Sequence, residues 1–226
     1  MEASPISSST AADLIPSPED LRDAFELELQ ASDGHPVRLG ELVLDKGDHV
    51  TTIIVFVRHF FCAYDQDYVR TISEHLSESI LRTRPNLSGP CQLLIIGCGH
   101  PSMIIPYVGE TASVFPVYSD PDGKMYEKLN MHRTTANITN PPSYTRKSFL
   151  RGLGITFKQM WQNGLRGLRG GPWDQNGGEW IFRGGKCVFV HRMEHVSDHL
   201  SAQELLEALK KGDADGCEKG VGEGCD

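Results

Sequence analysis

The sequence predicts a mixed α/β domain, a central sheet with helices on both faces. Three observations predict it. Residues 51–58 read Thr-Thr-Ile-Ile-Val-Phe-Val-Arg, a continuous β-branched run of the kind found in a strand buried on both faces. A second apolar run, Gln92–Gly97, follows after one amphipathic helical stretch, so a right-handed crossover would set the two strands side by side and parallel. A hairpin pattern comes late, Trp180–Phe182, Gly184-Gly185 and Cys187–His191, which adds antiparallel strands to the sheet.

The remaining elements follow in chain order. Residues 1–16 are rich in Ser, Ala and Pro and are expected to be a disordered N-terminus. Ser17-Pro18-Glu19-Asp20 is a helix start, with Ser17 as N-cap, proline in the first turn and early acids, and predicts a helix to about Gln30. Val37–Leu44 is expected to be extended. Residues 63–82 form an amphipathic helix with Tyr68, Ile72, Leu76, Ile80 and Leu81 near one stripe. Ser102–Thr111 predicts a short helix, Val114–Tyr118 a third strand, Ser119–Gly123 a turn and Lys124–Leu129 another short helix. Ser201–Lys210 predicts a last helix capped by Ser201. The expected organisation is therefore one domain over 17–210, with a basic helical insertion at about 133–172 and a flexible acidic tail at 211–226.

The 226 residues carry a net charge of −8, which argues against general nucleic-acid binding. Residues 133–172 hold seven basic residues and no acid, so that segment is +7 and the rest −15. It is either a solvated face or a rim that attracts anionic substrates or a membrane surface. Within it, Phe149–Trp161 is apolar at helical spacing, which fits a core-covering helix, a lid over an apolar pocket, or a membrane-surface or homodimer contact. No apolar run is long enough to span a bilayer, and the Ser-rich start lacks a secretory pattern, so a cytoplasmic protein is expected. The six cysteines show neither a disulfide framework nor a CxxC pair. His191-Arg192-Met193-Glu194-His195 matches H-x-x-E-H, but that chemistry needs the histidines on one helical turn, and here the segment follows a hairpin strand. No metal and no cofactor is expected.

Cys62 is the candidate centre of chemistry. It lies just beyond the first buried strand, where the chain turns into a helix. Reactive groups of open α/β sheets gather at the carboxyl ends of strands. A helix start offers free N–H groups and the positive end of its dipole, which favour a thiolate. Arg58 and His59 precede it as further candidate positive charges. The alternative is a buried structural cysteine in the apolar run Phe60-Phe61-Cys62.

The segment Val55-Phe56-Val57-Arg58-His59-Phe60-Phe61-Cys62 resembles the active-site segment of the peroxiredoxin-like 2 group, within the alkyl hydroperoxide reductase and thiol-specific antioxidant (AhpC/TSA) superfamily; fungal and animal members are the nearest in kind. The resemblance continues through Leu93–Gly97, Phe115-Pro116-Val117-Tyr118-Ser119-Asp120-Pro121, the glycine pairs at 177–178 and 184–185, and His191-Arg192 to Asp198-His199, covering about residues 36–210. It implies a thioredoxin-like fold with Cys62 in the peroxidatic position, a hydroperoxide substrate and a thiol reductant such as thioredoxin or glutathione. Two departures stand out. Many relatives carry CxxC here, whereas this chain reads Cys62-Ala63-Tyr64-Asp65. An ionised Asp65 would raise the thiol pKa, or serve as a proton handler, or cap the helix. His59 also stands where peroxiredoxins hold a threonine.

Cys98, after the second strand, is the candidate resolving thiol, since adjacent strands are about 4.8 Å apart. Cys217 and Cys225 are alternatives from the tail. Phe60, Tyr64, Trp161, His191 and Arg192 are candidate pocket residues. Three functions stay open: a thiol-dependent peroxidase, a metabolite-biosynthesis enzyme that opens or rearranges an organic peroxide or another apolar metabolite with Cys62, Asp65 and His59, and a non-catalytic binding module.

Overall fold

In the computed structural model, residues 13–76, 81, 89–134 and 171–217 are described, with side chains to Lys210. The chain opens on α1 (Pro18–Glu26), where the Ser17 hydroxyl accepts the Asp20 N–H and Pro18 occupies the first turn. Then come β1 (Glu28–Gln30), β2 (Pro36–Arg38), α2 (Leu39–Val43), β3 (Thr51–Val57), α3 (Ala63–His75) and β4 (Cys91–Cys98). A 3₁₀ turn at Pro101–Met103 leads into α4 (Ile104–Thr111), followed by β5 (Val117–Asp120), α5 (Lys124–Lys128), β6 (Gly178–Arg183), β7 (Lys186–Arg192) and α6 (Ala202–Cys217).

The seven strands form one sheet in the order β2-β1-β5-β4-β3-β6-β7. β3 pairs in parallel with β4, and β4 with β5. β6 runs antiparallel to β3, β7 to β6 and β1 to β5. The mixed sheet and the parallel pairing of the two apolar runs are as the pattern predicts. All seven residues of β3 are buried, because neighbouring strands cover both edges and helices cover both faces.

Alternation along the strands divides the core. Ile53, Val55 and Val57 of β3 join Leu93 and Ile95 of β4 against α3, α4 and α6. Ile54 and Phe56 join Leu94, Ile96 and Cys98 against α1, α2 and α5. Gly97 ends the first of these rows. A Cβ there would run into the Phe60 ring, so glycine lets the loop after β3 pack down on β4. On the second face, the buried Tyr126 hydroxyl sits between the carbonyl oxygens of Val57 and Ile96, at 2.5 and 2.9 Å, and shares its single proton with them, tying together the ends of the two central strands.

Several boundaries differ from the sequence pattern. α3, expected to run to residue 82, ends at His75 with Leu76 as its C-cap. α1 stops at Glu26, and Glu28–Gln30 is a strand that pairs with β2 and β5. Leu39–Val43, expected to be extended, is a helical turn that buries Leu39, Leu42 and Val43 against α1. The third strand starts at Val117 and takes in Ser119 and Asp120. α6 continues past Lys210 to Cys217; its start is a capping box, in which the Ser201 hydroxyl accepts the Glu204 N–H and the Glu204 carboxylate accepts the Ser201 N–H. Most of the basic segment, including Trp161, and Cys225 lie outside the described residues. Among the described residues no helix is long and apolar enough to cross a membrane.

Candidate active site

β3 ends in a turn that carries Arg58, His59, Phe60 and Phe61 to Cys62, the N-cap of α3. Four residues separate the strand from Cys62, too few to leave the sheet edge, so the sulfur is held at the carboxyl end of the parallel strands. Cys62 is 5% exposed. Arg58 reaches back over the turn: its Nη1 donates to the Cys62 Sγ at 3.3 Å, its Nε to the Gln175 carbonyl at 3.0 Å and its Nη2 to the Trp173 carbonyl at 2.5 Å. Three bonds to three groups fix the planar guanidinium, a task lysine cannot perform.

Burial pushes the Cys62 thiol up to about 12, and the Asp65 carboxylate adds to this. The Arg58 guanidinium and the Asp65 backbone N–H pull in the other direction and recover only part of it. Cys62 at rest is a thiol. His59 corrects an expectation. It is buried, with its ring 5.0 Å from that of Trp173, and burial together with the Arg58 charge brings its pKa down to about 4. It is neutral at pH 7 and brings no positive charge to the sulfur.

Asp65, in the first turn of α3, is fully buried. One oxygen accepts the Arg58 backbone N–H at 2.6 Å; the other lies 3.4 Å from His199 Nε2. Burial would raise its pKa, but the charge of His199 across that 3.4 Å contact, with Arg58 and His59 behind it, outweighs this and keeps it below the usual range. His199 Nδ1 lies 2.6 Å from one oxygen of Glu179, and His191 Nδ1 lies 2.7 Å from the other. The His199 ring stacks on Tyr68 at 4.2 Å and 4°. Burial opposes the charge on His199, yet Glu179 and Asp65 raise its pKa to about 9. Glu179 is likewise opposed by burial and held at about 2 by its histidines. The result is a buried row of alternating charge, Asp65⁻, His199⁺, Glu179⁻, that ends at the part-exposed His191.

Other candidates fall elsewhere. Cys98 points to the opposite face of the sheet, next to Gly123, among the residues packed on α1, α2 and α5. Arg192 also lies on that face, over the Trp180 ring, and donates to the carbonyls of Leu129 and Leu14. Phe60 sits against Tyr107 at 5.1 Å. Phe60, Phe61, Gln66, Met103 and Tyr107 line a cleft of about 160 Å³ beside the turn. Tyr64 is only half-buried. Among the described residues no cluster of His, Cys, Asp and Glu could hold a metal. Glu179 and Tyr68 were absent from the sequence-level site. The available signal was a carboxylate in the otherwise apolar Gly178-Glu179-Trp180-Ile181-Phe182 strand.

Comparison with known proteins adds a lineage to this geometry. The family model described as AhpC/TSA antioxidant enzyme matches residues 76–195, more than half of the 226-residue chain. The chain belongs to the AhpC/TSA antioxidant enzyme family. The matched span of this AhpC/TSA chain includes β4 to β7 and begins after the Cys62 turn. Peroxiredoxin-like 2C of Homo sapiens is 27% identical over 211 residues, which cover 89% of this chain and 88% of that protein. The Bos taurus protein of the same name is 26% identical over 188 residues, 81% of this chain and 77% of that one. Reduced Prx3 of Vibrio vulnificus, solved in complex with hydrogen peroxide, superposes with a TM-score of 0.54 at 11% identity, covering 81% of this chain and 94% of that one. The bacterioferritin comigratory protein of Xanthomonas campestris gives 0.52 at 13% identity, over 85% and 95%. At these identities the likeness is one of fold: the AhpC/TSA chain has the thioredoxin-like architecture of peroxiredoxins.

Proposed function

We propose that this protein is a thiol-dependent peroxidase that reduces hydroperoxides through Cys62. The observation that carries the reading is the Arg58 guanidinium, fixed by two backbone carbonyls and 3.3 Å from a sulfur at a helix N-terminus. Such a cation stabilises both the charge that develops on sulfur and that on the departing oxygen. The sulfur attacks the terminal peroxide oxygen, the O–O bond breaks, and the thiol proton goes to the leaving alkoxide. The products are an alcohol and a Cys62 sulfenic acid. With Cys98 on the other face of the sheet, the reading assigns resolution to an external thiol of the thioredoxin or glutathione kind. That thiol condenses with the sulfenic acid and releases water, and a second thiol reduces the resulting disulfide. A thiol reductant of this kind acts in a reducing compartment such as the cytoplasm, and the reading places the protein there.

In an assay with hydrogen peroxide and cumene hydroperoxide plus a thiol reductant, Cys62→Ser should fall to the uncatalysed rate. Equal consumption by wild type and Cys62→Ser would refute the proposal. One observation favours a second reading, acid–base rearrangement of an organic peroxide metabolite: at neutral pH the site pairs a thiol held up to about 12 with an ionised carboxylate. Turnover that survives Cys62→Ser but not Asp65→Asn would mark that chemistry.

A further inference from the structure

Three ionised side chains in a row inside a small domain call for a reason. Buried ion pairs are costly to desolvate, and apolar residues of similar volume commonly serve stability as well or better. Asp65 and Glu179 are fully buried and His199 nearly so. The row also has a direction. His191 holds one oxygen of Glu179 and His199 the other. The second ring nitrogen of His199 faces Asp65. The second oxygen of Asp65 takes the backbone N–H of Arg58, and the side chain of Arg58 lies on the sulfur.

We propose that His199 is a positioning residue of the Cys62 site: stacked on Tyr68 and held by Glu179, it fixes the Asp65 carboxylate, and through it the Arg58–Cys62 turn. The proposal rests on the reading of Cys62 as the reacting thiol. His199 acts through Asp65, in two ways. It orients the carboxylate that anchors the Arg58 backbone, and it keeps that carboxylate ionised, so that its charge bears on the sulfur. The groups that face this set are Arg58, His59 and Cys62 on the turn, Asp65 and Tyr68 on α3, Tyr107 on α4, Glu179 on β6, His191 on β7 and Asp198 beyond it. Without the imidazolium, burial draws a proton onto Asp65, and the repulsion it exerts on a Cys62 thiolate disappears.

The test is the rate of Cys62 alkylation by iodoacetamide at pH 7, where His199, with its pKa raised to about 9, carries its charge, followed by mass spectrometry of the Cys62 peptide. His199→Gln is expected to raise the rate about tenfold. Asp65→Asn should raise it by a similar factor, and the double variant should go no further than either alone. A His199→Gln rate that stays put or falls, or effects that multiply in the double variant, overturns the proposal; a residue serving only the fold would change the melting temperature and leave this pattern of non-additive rates absent. A measurement on the wild type guards against variants that fail to fold. The ¹⁵N spectrum of the His199 ring should show both nitrogens protonated at pH 7.5, and a single neutral tautomer there overturns the proposal. These readouts do not depend on turnover. A wild type with this coupling and no hydroperoxide consumption refutes the peroxidase reading while upholding the coupling.

Discussion

Glu179→Ala is expected to destabilise the protein by about 3–5 kcal/mol, because it strands a cation in the interior. Glu179 on β6 is shared by His199 at 2.6 Å, from the segment before α6, and by His191 on β7 at 2.7 Å. Denaturant titration of wild type and variant at pH 6 measures the loss. The pH profile identifies its source. The raised pKa of His199, about 9 against an ordinary 6.5, contributes stability that is fully present below 6.5 and is lost as pH climbs through 9. The lowered pKa of Glu179, about 2 against an ordinary 4.5, contributes stability present above 4.5 and lost as pH falls through 2. Wild type should therefore have a plateau between about 4.5 and 6.5 from this network, with both shoulders flattened in Glu179→Ala. A variant that loses less than 1 kcal/mol, or keeps both shoulders, would show that the charges do not reside where the geometry places them.

Arg58→Ala is expected to cut the second-order rate with cumene hydroperoxide by about 10²–10³, the usual cost of removing one preorganised donor from a charged transition state. Arg58→Lys should recover little of it. An ammonium can sit near the sulfur, but it cannot at once satisfy the carbonyls of Gln175 and Trp173, which now take the Nε and Nη2 hydrogens. Stopped-flow mixing of reduced protein with peroxide measures the rate directly. A rate within threefold of wild type in Arg58→Ala would remove the guanidinium from the mechanism.

The central strands, the helix start at Cys62 and the nearness of Asp65 were readable from the sequence because each is a local signal: a β-branched run, a run-to-helix junction, a first-turn carboxylate. Short elements were misread where tertiary contacts set the conformation. Leu39–Val43 coils into a turn to bury Leu39, Leu42 and Val43, and Glu28–Gln30 extends because β5 offers it an edge. The charged row lay beyond reach for another reason. Asp65, Glu179 and His199 come from α3, β6 and the approach to α6, more than a hundred residues apart at the extremes, and only the sheet order brings them together. His59 shows the converse: a histidine beside an arginine and a cysteine reads as a charge, and the interior makes it neutral.

If Cys62 is the peroxidatic thiol proposed above, its 5% exposure also sets a kinetic ceiling. A small peroxide needs only a gap, whereas a protein thiol has to meet the sulfur itself, so the turn between β3 and α3 must part from its neighbours first. Reduction is then two events in series, a local opening and an exchange of sulfurs. Raising the concentration of reductant accelerates the second and leaves the first untouched. On that proposal the recycling rate should level off at the opening frequency, which would make the turn's own breathing the clock of the oxidised protein.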